Sequence, residues 1–262
     1  MASGTVLAGV LAAAVWSRGP FLDVLVVVAV TIGAWEYAGL VRRLEAEPPV
    51  WLLYPLSVWL AVRFLLPSGV PSLELGLGVA VVVGLFGVVL ARLTLLRWAA
   101  ALAGALYLGF CLGYYLALAS WQPHDGQFGS RLLTLLLLGI IAGDVIAYFL
   151  GSALGRHPFF SSLSPRKTVE GALGGLLGSL IATGLLAPAL VGISWWQGIL
   201  MGMLIAIAAQ GGDLAESALK RQAEVKDSSR LIPGHGGLLD RLDSVLLVGP
   251  VVYCYLRLIA LP

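Results

Sequence analysis

The chain has 262 residues, 59% of them hydrophobic and 11% charged, with a net charge of +2. Ordinary soluble domains carry roughly 25% charged residues. A mean hydropathy of +0.95 excludes that class and predicts a polytopic membrane protein, all-α, in one transmembrane domain over 1–262. The two cysteines, Cys111 and Cys254, fall in apolar runs. Packed thiols are expected there, with no disulfide framework.

Nine apolar segments follow one another, at about 4–17, 20–40, 51–66, 70–91, 98–121, 131–154, 169–190, 195–212 and 243–261. Most approach the ~20 residues needed to cross the hydrocarbon core. The first has no Lys or Arg before its apolar run, so it reads as a retained span and not a cleaved leader. Connections are brief and marked by breakers such as Arg18-Gly19-Pro20 and Pro48-Pro49. A cytoplasmic N-terminus places twelve Lys and Arg inside and leaves only Arg18, Arg63, Arg131 and Arg257 outside. The expected location is the inner membrane, multi-pass, with the charged loops in the cytoplasm.

The second segment ends at Trp35-Glu36-Tyr37. An acid among aromatic residues at a span end reads as an interface anchor. The sixth segment carries Asp144 well inside an apolar run, where an ionised group costs roughly 2.5–3.5 kcal/mol by insertion scales. Tyr148 and Ser152 continue its stripe toward the loop, which predicts a polar cleft opening there. The loop holds Ser164-Pro165-Arg166-Lys167-Thr168, with Thr168 placed to cap the next helix. Gly171, Gly174, Gly175 and Gly178 then predict close helix packing, and Trp195-Trp196 an outer aromatic belt.

The stretch 212–244 concentrates more than a third of the chain's charged side chains. Asp213, Glu216, Ser217, Lys220 and Glu224 fall on one helical face, and Asp240, Asp243 and Ser244 on another, with Arg241 beside them. Between them lie Lys220-Arg221, Lys226-Asp227 and the turn Pro233-Gly234-His235-Gly236-Gly237. Carboxylates in such sets hold hard cations such as Mg²⁺. Arg and Lys hold phosphate oxygens, and glycines admit a phosphate close to backbone N–H groups. The combination points to phosphoryl or nucleotidyl transfer.

The pattern Ser217-x-Leu219-Lys220-Arg221, four residues, Lys226-Asp227, then Pro233-x-His235-Gly236-Gly237-x-x-Asp240-Arg241-x-Asp243 resembles the signature of the CDP-diacylglycerol synthases, the phosphatidate cytidylyltransferases. Trp35-Glu36-Tyr37, Asp144 to Tyr148, and Ser164 to Gly171 look like other pieces of that family. Val145 stands where the family pattern carries a small hydroxyl residue.

The resemblance implies transfer of the cytidylyl group of CTP to phosphatidate, giving CDP-diacylglycerol and pyrophosphate at the bilayer. The catalytic region would be carried mainly by 140–171 and 212–244. It implies Asp213 and Asp240 as main ligands of Mg²⁺, with Asp144, Glu216 or Asp243 completing the set or holding a second cation. Lys220 and Arg241 join Asp213 and Asp240 as the catalytic group. Ser164, Lys167, Thr168, Ser217, Arg221, Lys226, Asp227, His235, Gly236 and Gly237 would bind the substrates. Nucleic acid is not an expected partner, and the glycine-rich faces permit a homodimer without requiring one. Another CTP-using lipid enzyme, such as a polyprenol kinase or a CDP-archaeol synthase, would share these features. An ion or anion transporter would also suit Asp144, but the one-sided charge and the lack of an internal repeat count against it.

Overall fold

A computed structural model describes residues 20–66, 73–90, 93–121, 126–232, 234 and 236–259. Among them the elements are α1 (Pro20–Arg42), α2 (Val50–Val62), α3 (Leu73–Leu90), α4 (Leu95–Ala105), α5 (Cys111–Ala119), α6 (Phe128–Leu154), α7 (Val169–Val191), α8 (Trp195–Gln222), α9 (Leu239–Leu246) and α10 (Val248–Leu258). A π-helical turn, Leu106–Phe110, joins α4 to α5. No strand occurs among the described residues, only two isolated bridges.

Among the described residues, five continuous helices are long and apolar enough to cross a membrane: Pro20–Arg42, Leu95–Ala119, Phe128–Leu154, Val169–Val191 and Trp195–Gln222. They coincide with five of the nine apolar segments. Two further apolar helices, Val50–Leu65 and Gly76–Leu90, are shorter, and segment 4–17 lies outside the described residues. The last segment, expected as one span over 243–261, is instead broken. α9 stops at Leu246 and α10 restarts at Val248. Pro250 has no N–H for the carbonyl of Leu246, and its ring crowds that carbonyl, so a continuous helix cannot form there. The Tyr115 hydroxyl donates to the Val245 carbonyl at 2.8 Å, holding the bend.

Among the described residues the most extensive packing joins α6 to α7 and α7 to α8. Glycine is the cause. A Cβ at Gly178 would stand 2.6 Å from the Ala142 carbonyl oxygen, and one at Gly174 2.9 Å from Leu150. With nothing on the glycine face, the backbones approach closely. The Ser179 hydroxyl then donates across to the Gly139 carbonyl at 2.9 Å. The opposite face of α7 shows Leu173, Leu177, Ile181 and Leu185, all exposed, spaced as a lipid-facing stripe. Thr168 caps α7 by accepting the Gly171 N–H at 3.1 Å, as expected.

α8 is the longest helix among the described residues, at 28 residues, about 42 Å at the usual rise. The hydrocarbon core is only about 30 Å thick, so one end must stand clear of it. A capping box of Ser194 and Gln197 starts the helix, with Trp195 and Trp196 exposed beside it. Asp213 to Gln222 form the other end. Near the Trp end, Tyr255 donates to the Gln197 carbonyl at 2.8 Å. Tyr253, Tyr114, Phe64 and Trp121 cluster with Arg63 and Arg257 over their rings. Two of the four arginines that break the charge bias are thus held by aromatic faces, which attract cations. Cys111 is buried as expected, whereas Cys254 is exposed.

Candidate active site at the end of α8

Three helices carry carboxylates near one another, two of them into one cleft. Asp144 comes from α6, Asp213 from α8 and Asp243 from α9. α8 meets α9 at Gly212, where any Cβ would collide with the Asp243 carbonyl oxygen. The hairpin between α6 and α7 closes the opposite side. Its two arms pair through Phe159 N–H to Lys167 O and Val169 N–H to His157 O, both at 2.9 Å. Glu170 fastens its base, accepting from the Arg156 N–H at 3.1 Å and pairing with the His157 ring at 2.6 Å. The returning arm of the hairpin delivers Arg166 and Lys167. The resulting cleft holds about 360 Å³ and is lined by Asp144, Tyr148, Ser152, Arg166, Lys167, Thr168, Gln210, Asp213 and Ser244, among others.

Lys167 pairs with Asp213 inside this cleft, and the Ser217 hydroxyl reaches the other Asp213 oxygen at 3.4 Å. Burial first, and then the negative charge of Asp213, push the Asp243 carboxyl up to about 6, with Asp144 adding to the effect. These acids therefore feel one another, and their donor set is all oxygen, as a hard divalent cation requires. Among the described residues, however, no three His, Cys, Asp or Glu side chains are gathered as ready-made metal ligands. Lysine ammonium groups balance the carboxylates instead.

Asp240 belongs to a second arrangement. Its Oδ1 accepts from Lys220 Nζ at 2.6 Å. Its Oδ2 accepts the Ser228 N–H, the Ser228 hydroxyl and the Gly237 N–H, each at 2.8 Å. Burial opposes ionisation of Asp240, but Lys220 and these donors outweigh it and hold the carboxyl below its usual range. With its lone pairs taken, Asp240 is a poor candidate for the cation ligand that the sequence pattern suggested. It fastens Lys220 and the glycine turn. Lys220 Nζ also stands 3.0 Å from Glu216 Oε1. Glu216 is 1% exposed, and neither of its oxygens has a well-angled hydrogen bond among the described residues.

The remaining sequence candidates divide. Ser164 lies in the hairpin turn, accepting the Lys167 N–H through its carbonyl at 3.1 Å. Arg221 is committed to the carbonyls of Leu163 and Val225, tying the hairpin to α8. Lys226 and Asp227 do not line the acidic cleft. They border a second recess of about 730 Å³ with Trp35, Arg42, Arg43, Tyr54 and Arg230. Arg241 is exposed. Gly236 has φ +77, which a side chain resists, and a Cβ there would also press on Asp240 at 2.7 Å. His235 lies outside the described residues.

Two residues near the site were not singled out as site residues. Glu36, read as an interface anchor, is 2% exposed and turned inward. Tyr107 sits in the π-helical turn, a feature common at functional sites. Its buried hydroxyl has no hydrogen-bond partner among the described residues, and Glu216, Asp243 and Asp213 lie within its electrostatic reach. Hydropathy carries no sign of that π-helical turn.

Comparison with known proteins gives a consistent picture. The family model described as "Cytidylyltransferase family" matches residues 1–259. The phosphatidate cytidylyltransferase of Synechocystis is 44% identical over 156 residues, covering 56% of this chain and 53% of that protein. The phosphatidate cytidylyltransferase of Bacillus subtilis is 39% identical over 155 residues, 59% of this chain and 56% of that protein. The uncharacterized protein YnbB of Escherichia coli is 38% identical over 158 residues, covering 58% and 53%. The chain thus spans about half the length of the curated relatives it matches.

Proposed function

This chain belongs to the cytidylyltransferase family, and from that premise we propose that it transfers the cytidylyl group of CTP to phosphatidate, forming CDP-diacylglycerol and pyrophosphate. The observation that carries the reading is the cleft itself. Carboxylates from α6 and α8, with Ser244 of α9, line it together with Lys167 and Arg166 at the end of a helix too long for the bilayer. A lipid phosphate and a water-soluble triphosphate can meet only at such a boundary.

The phosphatidate phosphate attacks the α-phosphorus of CTP. A new P–O bond forms, the bond to the β-phosphate oxygen breaks, and pyrophosphate leaves with the electron pair. The nucleophile is already an anion, so no strong general base is needed. The barrier is repulsion between anions and charge on the leaving group. Lys167, now on Asp213, and Arg166 sit where they would take phosphate oxygens. Lys220, fixed by Asp240 and Glu216, supplies a second held ammonium.

Asp213, Asp243 and Asp144 fit a Mg²⁺ ion better than Asp240 does, since they repel one another and Asp240 is saturated. Glu216 is a further oxygen donor close by. When bound, the ion would neutralise triphosphate charge and polarise the α-phosphorus. The finer topology belongs to the same reading: about nine crossings, a cytoplasmic N-terminus and an inner-membrane site facing the cytoplasm. The supporting fact is that twelve of the 16 Lys and Arg then lie inside. Membranes containing the protein, given labelled CTP, phosphatidate and Mg²⁺, are expected to yield CDP-lipid and pyrophosphate in equal amounts. Yields no greater than those of control membranes would eliminate the proposal.

A further inference from the structure

Glu36 lies near the end of α1, beside Trp35, which is 54% exposed. Glu36 itself is shut from water. A buried carboxylate is costly unless hydrogen bonds replace its hydration. Among the described residues the replacement comes from positions some 200 residues away. Oε1 accepts the Ser229 hydroxyl at 2.6 Å and the Leu238 N–H at 2.9 Å. Oε2 accepts the Leu239 N–H at 2.6 Å and lies 3.3 Å from the Ser228 hydroxyl.

Those donors bracket one segment. Ser228 and Ser229 are near its start, and Leu238 and Leu239 are where α9 begins. The amides at a helix start lack partners of their own, and an anion there is favoured by the helix dipole. Gly237 closes the fit: a Cβ on it would collide with both Glu36 Oε1 and Ser228 Oγ. The same segment grips Asp240 through Ser228 and Gly237, and Asp240 grips Lys220. α9 also carries Asp243. One carboxylate on the first described helix therefore staples both ends of the segment that sets two acids and a lysine.

We propose that Glu36 is a positioning residue for the transfer reaction, pinning the 228–239 segment so that Asp240, Lys220 and Asp243 hold their register without itself touching substrate. The proposal rests on the reading of the acidic cleft given above. A residue that merely stabilised the fold would lower the amount of folded enzyme and leave the intrinsic rate alone.

Glu36→Gln keeps the size but offers one carbonyl oxygen and sets an NH₂ group against donors. Ser229→Ala removes a single bond and leaves the carboxylate in place. In purified protein in detergent, two readouts are expected for Glu36→Gln. Trypsin cleaves after Lys226 or Arg230 faster than in the parent, while the unfolding temperature of the helices stays within a few degrees. The turnover number falls on the order of 10²-fold, the scale of a small misplacement of catalytic groups, with the KM for phosphatidate changed less than threefold. Ser229→Ala shows both effects more weakly. In the Asp240→Asn background, Glu36→Gln costs less further rate than in the parent, because Asp240 and its hold on Lys220 are already lost while Asp243 remains. Parent-like trypsin resistance and turnover in Glu36→Gln would overturn the proposal, as would rate losses that multiply fully with Asp240→Asn. A parent protein that makes no CDP-lipid would defeat the functional reading alone. The trypsin comparison would still decide whether Glu36 pins the segment.

Discussion

Gly212 and Asp243 touch backbone to backbone: the Asp243 carbonyl oxygen occupies the space a side chain at 212 would need. The contact places Asp213, the next residue on α8, against the helix that carries Asp243. It also explains why the charge of one is felt by the other. Gly212→Ala must push α9 away or bend α8. Overpacking of this kind costs about 1–3 kcal/mol. The expected result is a lower unfolding temperature and a CDP-lipid rate reduced at least about tenfold, since a shift of about 1 Å can cost 10²-fold. Both are measurable on one detergent preparation.

The two arrangements of acids predict different responses to divalent cation. Asp213→Asn removes charge from the cleft, and Asp243→Asn removes charge that lies close enough to act on Asp213. Each is expected to raise the Mg²⁺ concentration for half-maximal rate at least about tenfold, the order expected for weakening a ligand shell. Asp240→Asn is expected to lower the rate and leave that concentration within about twofold, because its partners are Lys220 and the Ser228–Gly237 segment. A Mg²⁺ titration of each variant at saturating CTP separates the cases.

Asp240 also fixes a pH dependence. Its carboxyl is held below the ordinary range, so the folded state keeps it ionised more readily than the unfolded chain does. That contribution to stability is complete above the ordinary carboxylate value of about 4 and is lost as the pH falls through the depressed value. The parent is expected to lose unfolding temperature on the acid side, and Asp240→Asn to lose less over the same window. Thermal scans between about pH 3 and about pH 6 check the sign.

Tyr107→Phe removes one oxygen that has no partner among the described residues. An unpaired buried hydroxyl typically costs about 1–3 kcal/mol, so the unfolding temperature is not expected to fall. If the hydroxyl serves bound substrate or the acids around it, the rate falls while stability holds. We expect that split, with about tenfold lower turnover, the scale of one hydrogen bond of about 1.4 kcal/mol made only in the reacting complex.

The sequence by itself determined the class of protein, five of its membrane-length helices and the residues at which charge gathers. Bilayer thickness converts apolar run length into helix length without reference to any partner. The Thr168 cap and the glycine face of α7 were equally legible, because caps and small-residue spacing act within a few residues. The break at Leu246 was written in Pro250, yet hydropathy alone joined the two pieces. Tertiary structure decided which acid meets which. Asp240 and Asp243 lie on the same face of one short helix, and spacing cannot say that one turns to Lys220 and the other toward Asp213. Nor could it show Glu36 buried, since every group that compensates its charge arrives from some 200 residues along the chain. Local pattern reports what a residue needs; only the folded contacts report which distant group supplies it.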